Sequence, residues 1–400
     1  MSPAMTSDIY YDPYDYEIDK DPHPIWKRMR DEAPLYHNEK FDFFAVSRHA
    51  DVRDVSVDWR TYTSSLGSVL ELIDAGPQVL ETVRNMLFED PPIHDVHRSI
   101  LARAFTPKRM AALEPAIREL CEIYLEPFVG SSGFDFVQDF GAKIPMMVIG
   151  MLLGVPDEDR EFLRRFADAA VHRDEGETTY RGGDGLDVFS YFGELVAQRR
   201  AEPRDDLASV LVHAEVDDGN GGMRRLDEAE LLQYISLVSA AGNETVANLL
   251  GWAGVLLDRH PDQRRVLAED AGAIPNAIDE LLRYEAPSAI QARVTTRDVE
   301  LHGTTVPMGS KVALLTGSAN RDERAFPDAD RFDVTRVVDH HVAFGFGIHF
   351  CLGAALARLE GRIALEEVLR RFPDWEVDQQ GAEMVHTSTV RGWAQLPVRL

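Results

Sequence analysis

The stretch Phe344-Gly-Phe-Gly-Ile-His-Phe-Cys-Leu-Gly353 places Cys351 among three glycines and three phenylalanines. Because glycine tolerates backbone conformations that other residues avoid, Gly345, Gly347 and Gly353 allow main-chain N–H groups to approach the sulfur closely. The phenylalanine side chains supply an apolar surround, which sets the solvent access of a metal-bound thiolate. The run therefore predicts a loop that presents Cys351 to a metal centre.

Two other interpretations of this loop stay open at this point. An unligated cysteine in a glycine-rich turn is commonly just a small buried side chain. Zinc is the second option, because four zinc-capable side chains occur near one another, namely His340, His341, His349 and Cys351. Structural zinc sites usually have two to four residues between paired ligands, and that pattern is missing here.

The composition bounds the class of protein. The chain has 400 residues, of which 44% are hydrophobic, and no linker or repeat divides it, so residues 1–400 are predicted to form one domain. A net charge of −26 argues against a nucleic-acid partner, which would need clustered Lys and Arg. Residues 1–20 lack the basic start and apolar core of a signal peptide, and two cysteines fit a reducing compartment. We therefore expect a cytoplasmic location.

Hydrophobic periodicity predicts a mainly α protein with small β-sheets, an α+β fold. Cys121 falls on the apolar face of one such helix and is predicted to be core. The predicted helices cover residues 115–128, 156–170, 186–201, 227–260, 273–284 and 352–372. The predicted strands cover residues 43–47, 299–301, 304–306 and 311–315.

The predicted helix 227–260 is the longest and the most apolar. Its start has a capping-box pattern, Asp227 with Glu230, and Pro261 follows its end. Glu244 interrupts the apolar run, which argues against a membrane span and favours a buried central helix. In the middle of it, Ala241-Gly-Asn-Glu-Thr245 sets an acid beside a hydroxyl, and burying that acid is costly unless the protein pairs or uses it.

The cysteine stretch resembles the haem-binding signature of the cytochrome P-450 family, Phe-x-x-Gly-x-His-x-Cys-x-Gly, at Phe344, Gly347, His349, Cys351 and Gly353. Residues 241–245 resemble the Ala/Gly-Gly-x-Asp/Glu-Thr element of that family's distal helix. The resemblance implies a single-domain P-450 fold, with haem b between the distal helix and the cysteine loop and with the Cys351 thiolate on the iron.

The resemblance also implies a chemistry. In that family the acid and the alcohol, here Glu244 and Thr245, help to deliver protons during dioxygen activation, which is general acid catalysis. The thiolate favours cleavage of the O–O bond. The expected activity is hydroxylation, or another oxidation, of a small and mostly apolar molecule with O2 and externally supplied electrons. The alternative is a haem-binding sensor or a zinc-stabilised binding protein without turnover.

Further residues follow from the same resemblance. Asp90-Pro-Pro-Ile-His94 is similar to the family's Asp-Pro-Pro-x-His segment. The implied cofactor-binding residues are His94, Arg98, Gly242, Arg293, Phe344, Gly345, His349, Cys351 and Gly353. Glu280-Leu-Leu-Arg283 matches the family's Glu-x-x-Arg motif, and Arg336 is expected to complete this ion-pair set, with a role in folding and haem retention.

The resemblance also implies a redox partner and the borders of the substrate pocket. A ferredoxin-type donor with its reductase is expected to dock on a monomer, on the cysteine side, at Arg103, Lys108, Arg109, Arg358 and Arg362. The substrate pocket is expected to be bordered by residues 66–88, 162–189, 237–242, 288–294 and 388–393. Its implied walls are Met86, Leu87, Phe166, Val238, Ile290 and Val390. Such walls suit a terpenoid, steroid, fatty acid or aromatic ligand equally, and Arg84 or Arg391 could receive a carboxylate.

Overall fold

Helices carry most of the chain in the computed structural model, which describes residues 8–82, 85–160, 185–217 and 222–400. The α-helices are α1 (Tyr16–Lys20), α2 (His23–Glu32), α3 (His49–Val57), α4 (Leu70–Ala75), α5 (Pro77–Thr82), α6 (Ile93–Ala102), α7 (Pro107–Ala112), α8 (Glu114–Leu125), α9 (Lys143–Leu153), α10 (Gly185–Ala201), α11 (Leu207–Val212), α12 (Glu228–Ala241), α13 (Glu244–Arg259), α14 (Pro261–Glu269), α15 (Ile274–Tyr284), α16 (Thr316–Ala319) and α17 (Ala354–Arg371). Short 3₁₀ turns and a π-helical turn at Phe136–Gly141 connect several of them.

The strands are short. They are β1 (Leu35–Asn38), β2 (Phe43–Val46), β3 (Tyr62–Thr63), β4 (Gly133–Asp135), β5 (Glu215–Asp217), β6 (Met223–Arg225), β7 (Ile290–Thr295), β8 (Val299–Leu301), β9 (Thr304–Val306), β10 (Lys311–Leu315), β11 (Glu376–Val377), β12 (Glu383–His386), β13 (Arg391–Gln395) and β14 (Pro397–Arg399). The mainly helical fold with small sheets is therefore confirmed, and so are the four predicted strands.

The sheets join distant parts of the chain. The largest has five strands in the order β1-β2-β10-β7-β3, with β10 parallel to β2 and antiparallel to β7. A three-stranded sheet, β11-β14-β4, brings the last residues of the chain beside residues 133–135. Because β7 alternates its side chains, Gln291 and Arg293 face the same side of the large sheet.

The predicted helix 227–260 is wrong in one respect, because it is broken at Gly242 and Asn243 into α12 and α13. We call these two helices together the distal helix. At the break the N–H of Asn243 bonds to the carbonyl of Ala240, three residues back, and the Thr245 hydroxyl donates to the carbonyl of Ala241. Such side-chain bonding to the preceding turn bends helices.

The distal helix lies in the core. All residues of α13 from Val246 to Leu257 are buried, and the helix packs against the π-helical turn, α17 and β13. The predicted capping box is present, with Asp227 and Glu230 bonded reciprocally. One stretch among the described residues, Phe136–Leu153, is long and apolar enough to cross a membrane, and 67% of it is buried inside the fold.

The predicted ion-pair set is confirmed, with Glu280 and Arg283 fully buried and Arg336 partly exposed. Arg283 forms a two-pronged pair with Glu280, with Nε–Oε2 and Nη2–Oε1 distances of 2.6 and 2.8 Å. Arg336 Nε lies 3.4 Å from Glu280 Oε1. Arg283 also donates to the carbonyl oxygens of Asn320 and Ala329. The set therefore ties α15 to the loop that leads toward the cysteine stretch.

Two other predictions can be compared with the structure. Cys121 is fully buried in α8, and burial raises the pKa of its thiol well above the usual range, as expected for a core residue. Of the predicted helix 156–170, only a 3₁₀ turn at Asp157–Asp159 and the residue after it are described, and the remainder lies outside the described residues.

Candidate active site

The cysteine loop, residues 344–353, is held by its own backbone and by α3. The Cys351 N–H donates to the Phe344 carbonyl oxygen at 2.8 Å, which closes the loop. Gly345 and Gly347 have φ values of 69° and 73°, a region that glycine adopts without strain. A Cβ on Gly347 would lie 2.7 Å from the backbone oxygen of Ser56, so the loop can approach α3 only with glycine there.

Cys351 has the surroundings predicted for a thiolate ligand. Its side chain lines an internal cavity together with Phe344, Phe350 and Gly353. Burial raises the pKa of the Cys351 thiol, while a hydrogen bond from the Gly353 N–H and the charges of Arg98 and Arg358 act in the opposite direction. Arg358 stacks on the Phe344 ring at 4.6 Å. These donors and cations favour the anionic sulfur that a metal would bind.

Four basic side chains converge beside the loop. The His94 and His349 rings meet edge to face with centroids 4.6 Å apart, and the Nε2 atoms of both rings are buried without a hydrogen-bond partner. Arg98 donates to the Phe350 carbonyl oxygen at 2.6 Å. Burial lowers the pKa of Arg293 to about 10, and Asp90 opposes that shift. The pKa of His349 is lowered to about 3, mainly by burial and further by the nearby charges of Arg293, His94 and Arg98.

The distal helix carries the predicted acid and alcohol at the start of α13. Glu244 is its first residue, where a negative charge is favoured by the helix dipole. Thr245 lines the cavity, and its Oγ1 donates to the Ala241 carbonyl at 3.0 Å. Gly242 packs so closely on α9 that an added Cβ would lie 2.5 Å from Ile149 Cδ1.

One cavity of about 250 Å³ brings together seven of the predicted site residues, namely Arg98, Gly242, Thr245, Phe344, His349, Cys351 and Gly353, whereas His94, Glu244, Arg293 and Gly345 do not line it. Both Cys351 and Thr245 line it, so the loop thiol and the distal alcohol face a common space. The apolar part of its wall is formed by Met86, Leu87, Leu101, Phe105, Ile149, Leu237, Val238, Val246, Leu249, Leu282, Leu352 and Leu356.

The residues present fit a haem. Its iron would take one thiolate, and Cys351 is the only cysteine that lines the cavity. Its propionates need cationic or hydrogen-bond donors. Arg98, Arg293 and the two orphaned imidazole nitrogens of His94 and His349 supply such donors next to the thiol.

Comparisons with known proteins agree with this geometry. The family model for cytochrome P450 matches residues 187–398. The protein named cytochrome P450 123 of Mycobacterium tuberculosis is 41% identical over 397 residues, which cover 98% of this chain and 97% of that protein. A vitamin D(3) 25-hydroxylase of Pseudonocardia autotrophica is 35% identical over 405 residues, 100% of this chain and 99% of its own length.

A solved structure, cytochrome P450 CYP109Q5 from Chondromyces apiculatus, superimposes with a TM-score of 0.87 at 33% identity and covers 97% of each chain. Fold and site thus define a haem-thiolate oxidoreductase. The chain belongs to the cytochrome P450 family, and it is a P450 monooxygenase that acts on a substrate with O2 and a redox partner.

The prediction of which residues form the pocket walls is confirmed in part. Met86, Leu87 and Val238 line the cavity, as do Ser288 and Gln291 from the expected range 288–294. Ile290 and Val390 do not, and no lining residue comes from 388–393, because the β12–β13 hairpin turns toward other clefts. Phe166 and Arg84 lie outside the described residues.

Arg391 is not a substrate contact at this cavity. Its guanidinium is buried, donates to Glu285 at 2.8 Å and also bonds the Asp19 carbonyl oxygen. The zinc interpretation gains no support in the described ranges, where no three His, Cys, Asp or Glu side chains converge as metal ligands. His340 instead bonds Asp339, and His341 bonds Asp279.

Glu360 is a cavity residue that sequence reasoning missed. It is 1% exposed in α17, lines the cavity, and its Oε2 has no hydrogen-bond partner. Burial raises the pKa of its carboxyl well above the usual value. In the sequence it stands among charged residues of a helix, so only its three-dimensional surroundings distinguish it from a surface acid.

Proposed function

We propose that Cys351 is the axial thiolate ligand of haem b and that His94, Arg98, Arg293 and His349 bind its propionates. The observation that carries this proposal is the common cavity, which Cys351 and Thr245 line together with His349, whose ring contacts His94 and whose buried Nε2, like that of His94, has no hydrogen-bond partner. Phe344, Gly345 and Gly353 would shape the loop around the sulfur, and Gly242, which lines the cavity, would let the distal helix pack closely on α9 beside the macrocycle.

When bound, the haem would supply the redox centre for reducing O2 and transferring one oxygen atom to the substrate. Glu244 and Thr245 would move protons into the cavity. The Thr245 hydroxyl donates its hydrogen to the Ala241 carbonyl oxygen. The lone pairs of Oγ1 therefore remain free to accept a hydrogen bond from a water molecule on the cavity side. Glu244, in the same first turn of α13, would be the acid that resupplies it.

We infer a small and mostly apolar substrate. Residues 86–87, the distal helix and residues 287–291 contribute no charged side chain to the described lining of the cavity, whose charged members, Arg98 and Glu360, come from α6 and α17. Ser288 and Gln291 are the polar lining residues of these three segments besides Thr245, so a hydroxyl or carbonyl group on the substrate would find a partner there. The vitamin D(3) 25-hydroxylase relative is in line with a substrate of this class.

A comparison of acids with their methyl esters tests the substrate proposal. Fatty acids and steroid acids should bind no more tightly than their methyl esters, because a carboxylate would lose its hydration without gaining a cationic partner. Binding can be followed by the change in the haem absorption spectrum. A consistent preference for the acids would contradict an apolar site.

We infer that electrons come from an acidic, ferredoxin-type donor bound near α6, α7 and the cysteine loop. Arg103 and Lys108 are exposed there without an ionic partner in the described part of the chain, and α7 packs on α17. The three other predicted cations are largely neutralised, since Arg109 pairs with Asp205, Arg358 with Asp279 and Arg362 with Glu114.

Charge reversal tests this docking surface. Arg103→Glu with Lys108→Glu should lower the rate constant of reduction by a ferredoxin roughly tenfold at low ionic strength, and the difference should shrink in high salt. Arg265→Glu, at an exposed arginine on α14, is the matched control and should leave the rate unchanged. Equal rates for both variants would contradict this surface.

We also propose that residues 1–400 form one cooperative domain. The five-stranded sheet joins residues 35–46 to residues 290–315, and the three-stranded sheet joins residues 133–135 to the C-terminal residues. Because each of these two larger sheets takes strands from both halves of the chain, neither half could form them alone. A single unfolding transition, seen by both haem absorbance and circular dichroism, is the expected result.

The decisive experiment is the absorption spectrum of the dithionite-reduced protein with and without carbon monoxide. Thiolate ligation should give a strongly red-shifted Soret band. Cys351→Ala should abolish that band, whereas Cys121→Ala should keep it, because Cys121 lies in the core of α8. A conventional Soret band in the unmodified protein, or a red-shifted band that survives Cys351→Ala, would overturn the proposed ligation.

A further inference from the structure

A second cleft, of about 640 Å³, is lined by Tyr284 and Glu285, while the nearby Pro287 and Ser288 line the cavity described above, which we call the haem cavity. It shares no lining residue with that cavity. Its walls come from five parts of the chain: residues 20–27, the end of α13, the end of α15, residues 321–330 and the β12–β13 hairpin. The lining residues that carry the argument are Trp252, Arg259, Glu285, Arg321, Arg391 and Trp393.

The lining of the cleft is richer in cations than the rest of this strongly acidic protein. Five lining side chains are cations, namely Lys20, Lys27, Arg259, Arg321 and Arg391, and three are carboxylates, namely Asp21, Glu285 and Asp330. Three more carboxylates, Glu17, Glu323 and Asp19, lie just outside the lining and pair with Lys20, Lys27 and Arg391. The attraction for a small anion therefore depends on a cation that has no such partner.

Two of these cations are fixed at the bottom of the cleft. Arg321 and Arg391 both bond to Glu285, at 3.0 and 2.8 Å, so two guanidinium groups flank one carboxylate. Burial opposes the charge of Glu285, but His23, Arg391 and Arg321 hold the pKa of its carboxyl well below the usual range. Arg391 Nε also lies 3.5 Å from Asp19, outside the lining.

Arg259 is the available cation at the rim. It is the last residue of α13, it is exposed, and it has no ionic partner within the described ranges. By contrast Lys20 pairs with Glu17 at 2.5 Å, and Lys27 pairs with Glu323 at 2.5 Å. An incoming anion would therefore meet Arg259 without first breaking an ion pair.

The floor of the cleft is aromatic. Trp252 and Trp393 pack edge to face with ring centroids 5.5 Å apart, and Arg321 lies over the Tyr284 ring at 3.3 Å. Trp252 is 3% exposed and Trp393 is 9% exposed, so only a small part of each ring reaches the cleft, and the indole Nε1 of Trp393 is buried without a hydrogen-bond partner. Aromatic edges beside cations suit an organic anion with a ring better than an inorganic ion.

We propose that this cleft is a second ligand site, which binds a small aromatic carboxylate with its ring on Trp252 and Trp393 and its carboxylate toward Arg259. The inference goes beyond the monooxygenase function and does not depend on it.

The test is calorimetric titration of the purified haem-loaded protein with 2-naphthoate. Its neutral isostere 2-naphthamide should bind at least about tenfold more weakly, because it lacks the charge that a guanidinium recognises. Arg259→Glu should weaken 2-naphthoate binding by about tenfold or more, and Arg259→Ala by less. Arg265→Glu, a charge reversal at another exposed arginine, should leave the affinity as it is. Circular dichroism of each variant verifies the fold.

The results separate the proposal from its alternatives. Binding of the acid that depends on Arg259, and not on Arg265, supports it. Three results would each overturn it: no binding of 2-naphthoate, equal binding of the acid and the amide, or the same affinity in Arg259→Glu and Arg265→Glu. The last result would assign any binding to another part of the protein, the haem cavity included.

Discussion

Thr245 Oγ1 donates a hydrogen bond to the Ala241 carbonyl oxygen across the break in the distal helix, at 3.0 Å. The bond fixes the rotamer of Thr245 and leaves its oxygen facing the cavity that Cys351 also lines. The break is thus directly connected with the site, since it begins a new helix at Glu244 and sets the alcohol in its first turn.

Replacing Thr245 by Ala should uncouple oxygen consumption from product formation. Positioned proton donors typically contribute about 10²-fold or more, so product per electron consumed should fall roughly tenfold at least, while hydrogen peroxide rises. Oxygen uptake, peroxide and product are measured in the same reaction. Thr245→Ser keeps the hydroxyl and should retain coupling. Unchanged coupling in Thr245→Ala would contradict the role proposed for this residue.

Removing a propionate partner should speed the loss of haem. His94→Ala and Arg293→Gln each delete a donor beside the cavity, and a lost hydrogen bond to a charged group corresponds to a roughly tenfold or larger change. Transfer of haem to excess apomyoglobin gives the rate. His340→Ala changes an exposed histidine that bonds Asp339 and serves as the control. Equal rates in all three variants would show that the propionates lie elsewhere.

Glu280→Ala should be strongly destabilising. It leaves Arg283 buried with no carboxylate partner, and breaking a fully buried ion pair typically costs about 3–5 kcal/mol. The free energy of unfolding from urea titration measures the effect. Glu32→Ala removes an exposed partner of Arg28 and should change stability little. A small effect at Glu280 would mean that Arg283 finds enough compensation in the backbone carbonyls around it.

Glu360 should make the protein less stable as the pH rises. Burial raises the pKa of its carboxyl, so above the unfolded pKa the unfolded chain loses a proton that the folded chain keeps. Each pH unit in that interval can lower the free energy of unfolding by up to about 1.4 kcal/mol. Glu360→Gln removes this effect, so its stability relative to the parent protein should increase between pH 5 and 8.

Glu367→Gln is the matched control for that titration. Burial opposes its charge, but Arg370, Arg371 and Arg118 lower the pKa of the Glu367 carboxyl. The ionised Glu367 carboxylate therefore stabilises the folded state above the pKa that this group has in the unfolded chain, and this stabilisation is lost as the pH falls. Glu367→Gln should lower stability at pH 7 and have less effect at pH 4. The same pH trend for both variants would contradict a protonated Glu360.

Motifs that depend on short spacing could be predicted from the sequence. The loop around Cys351 and the Glu280–Arg283 pair were identified because their members lie within ten residues of one another. The break at Gly242 could not be predicted, since glycine and asparagine are tolerated inside helices and the apolar pattern continues on both sides. Periodicity reports which face of a helix is buried, but not where its axis bends.

The sequence-based predictions are wrong for residues whose partners are distant in the chain. Arg391 appeared available for a substrate carboxylate, yet its partner Glu285 lies 106 positions away, and only the fold brings the two together. Residues 388–393 do not line the cavity either, and no sequence pattern indicates that the β12–β13 hairpin turns toward other clefts. The second cleft draws on five separate segments, and no local pattern marks such a surface.

Thr245, Leu249, Trp252, Leu256 and Arg259 follow one another at alternating intervals of four and three residues, so they form a single stripe along α13. The first two line the haem cavity and the last three line the second cleft. Each residue inserted or deleted between Leu249 and Trp252 would rotate the rest of the helix by about 100°. A change in the length of this segment would therefore turn Arg259 away from the cleft or Thr245 away from the haem cavity, even if every side chain were kept.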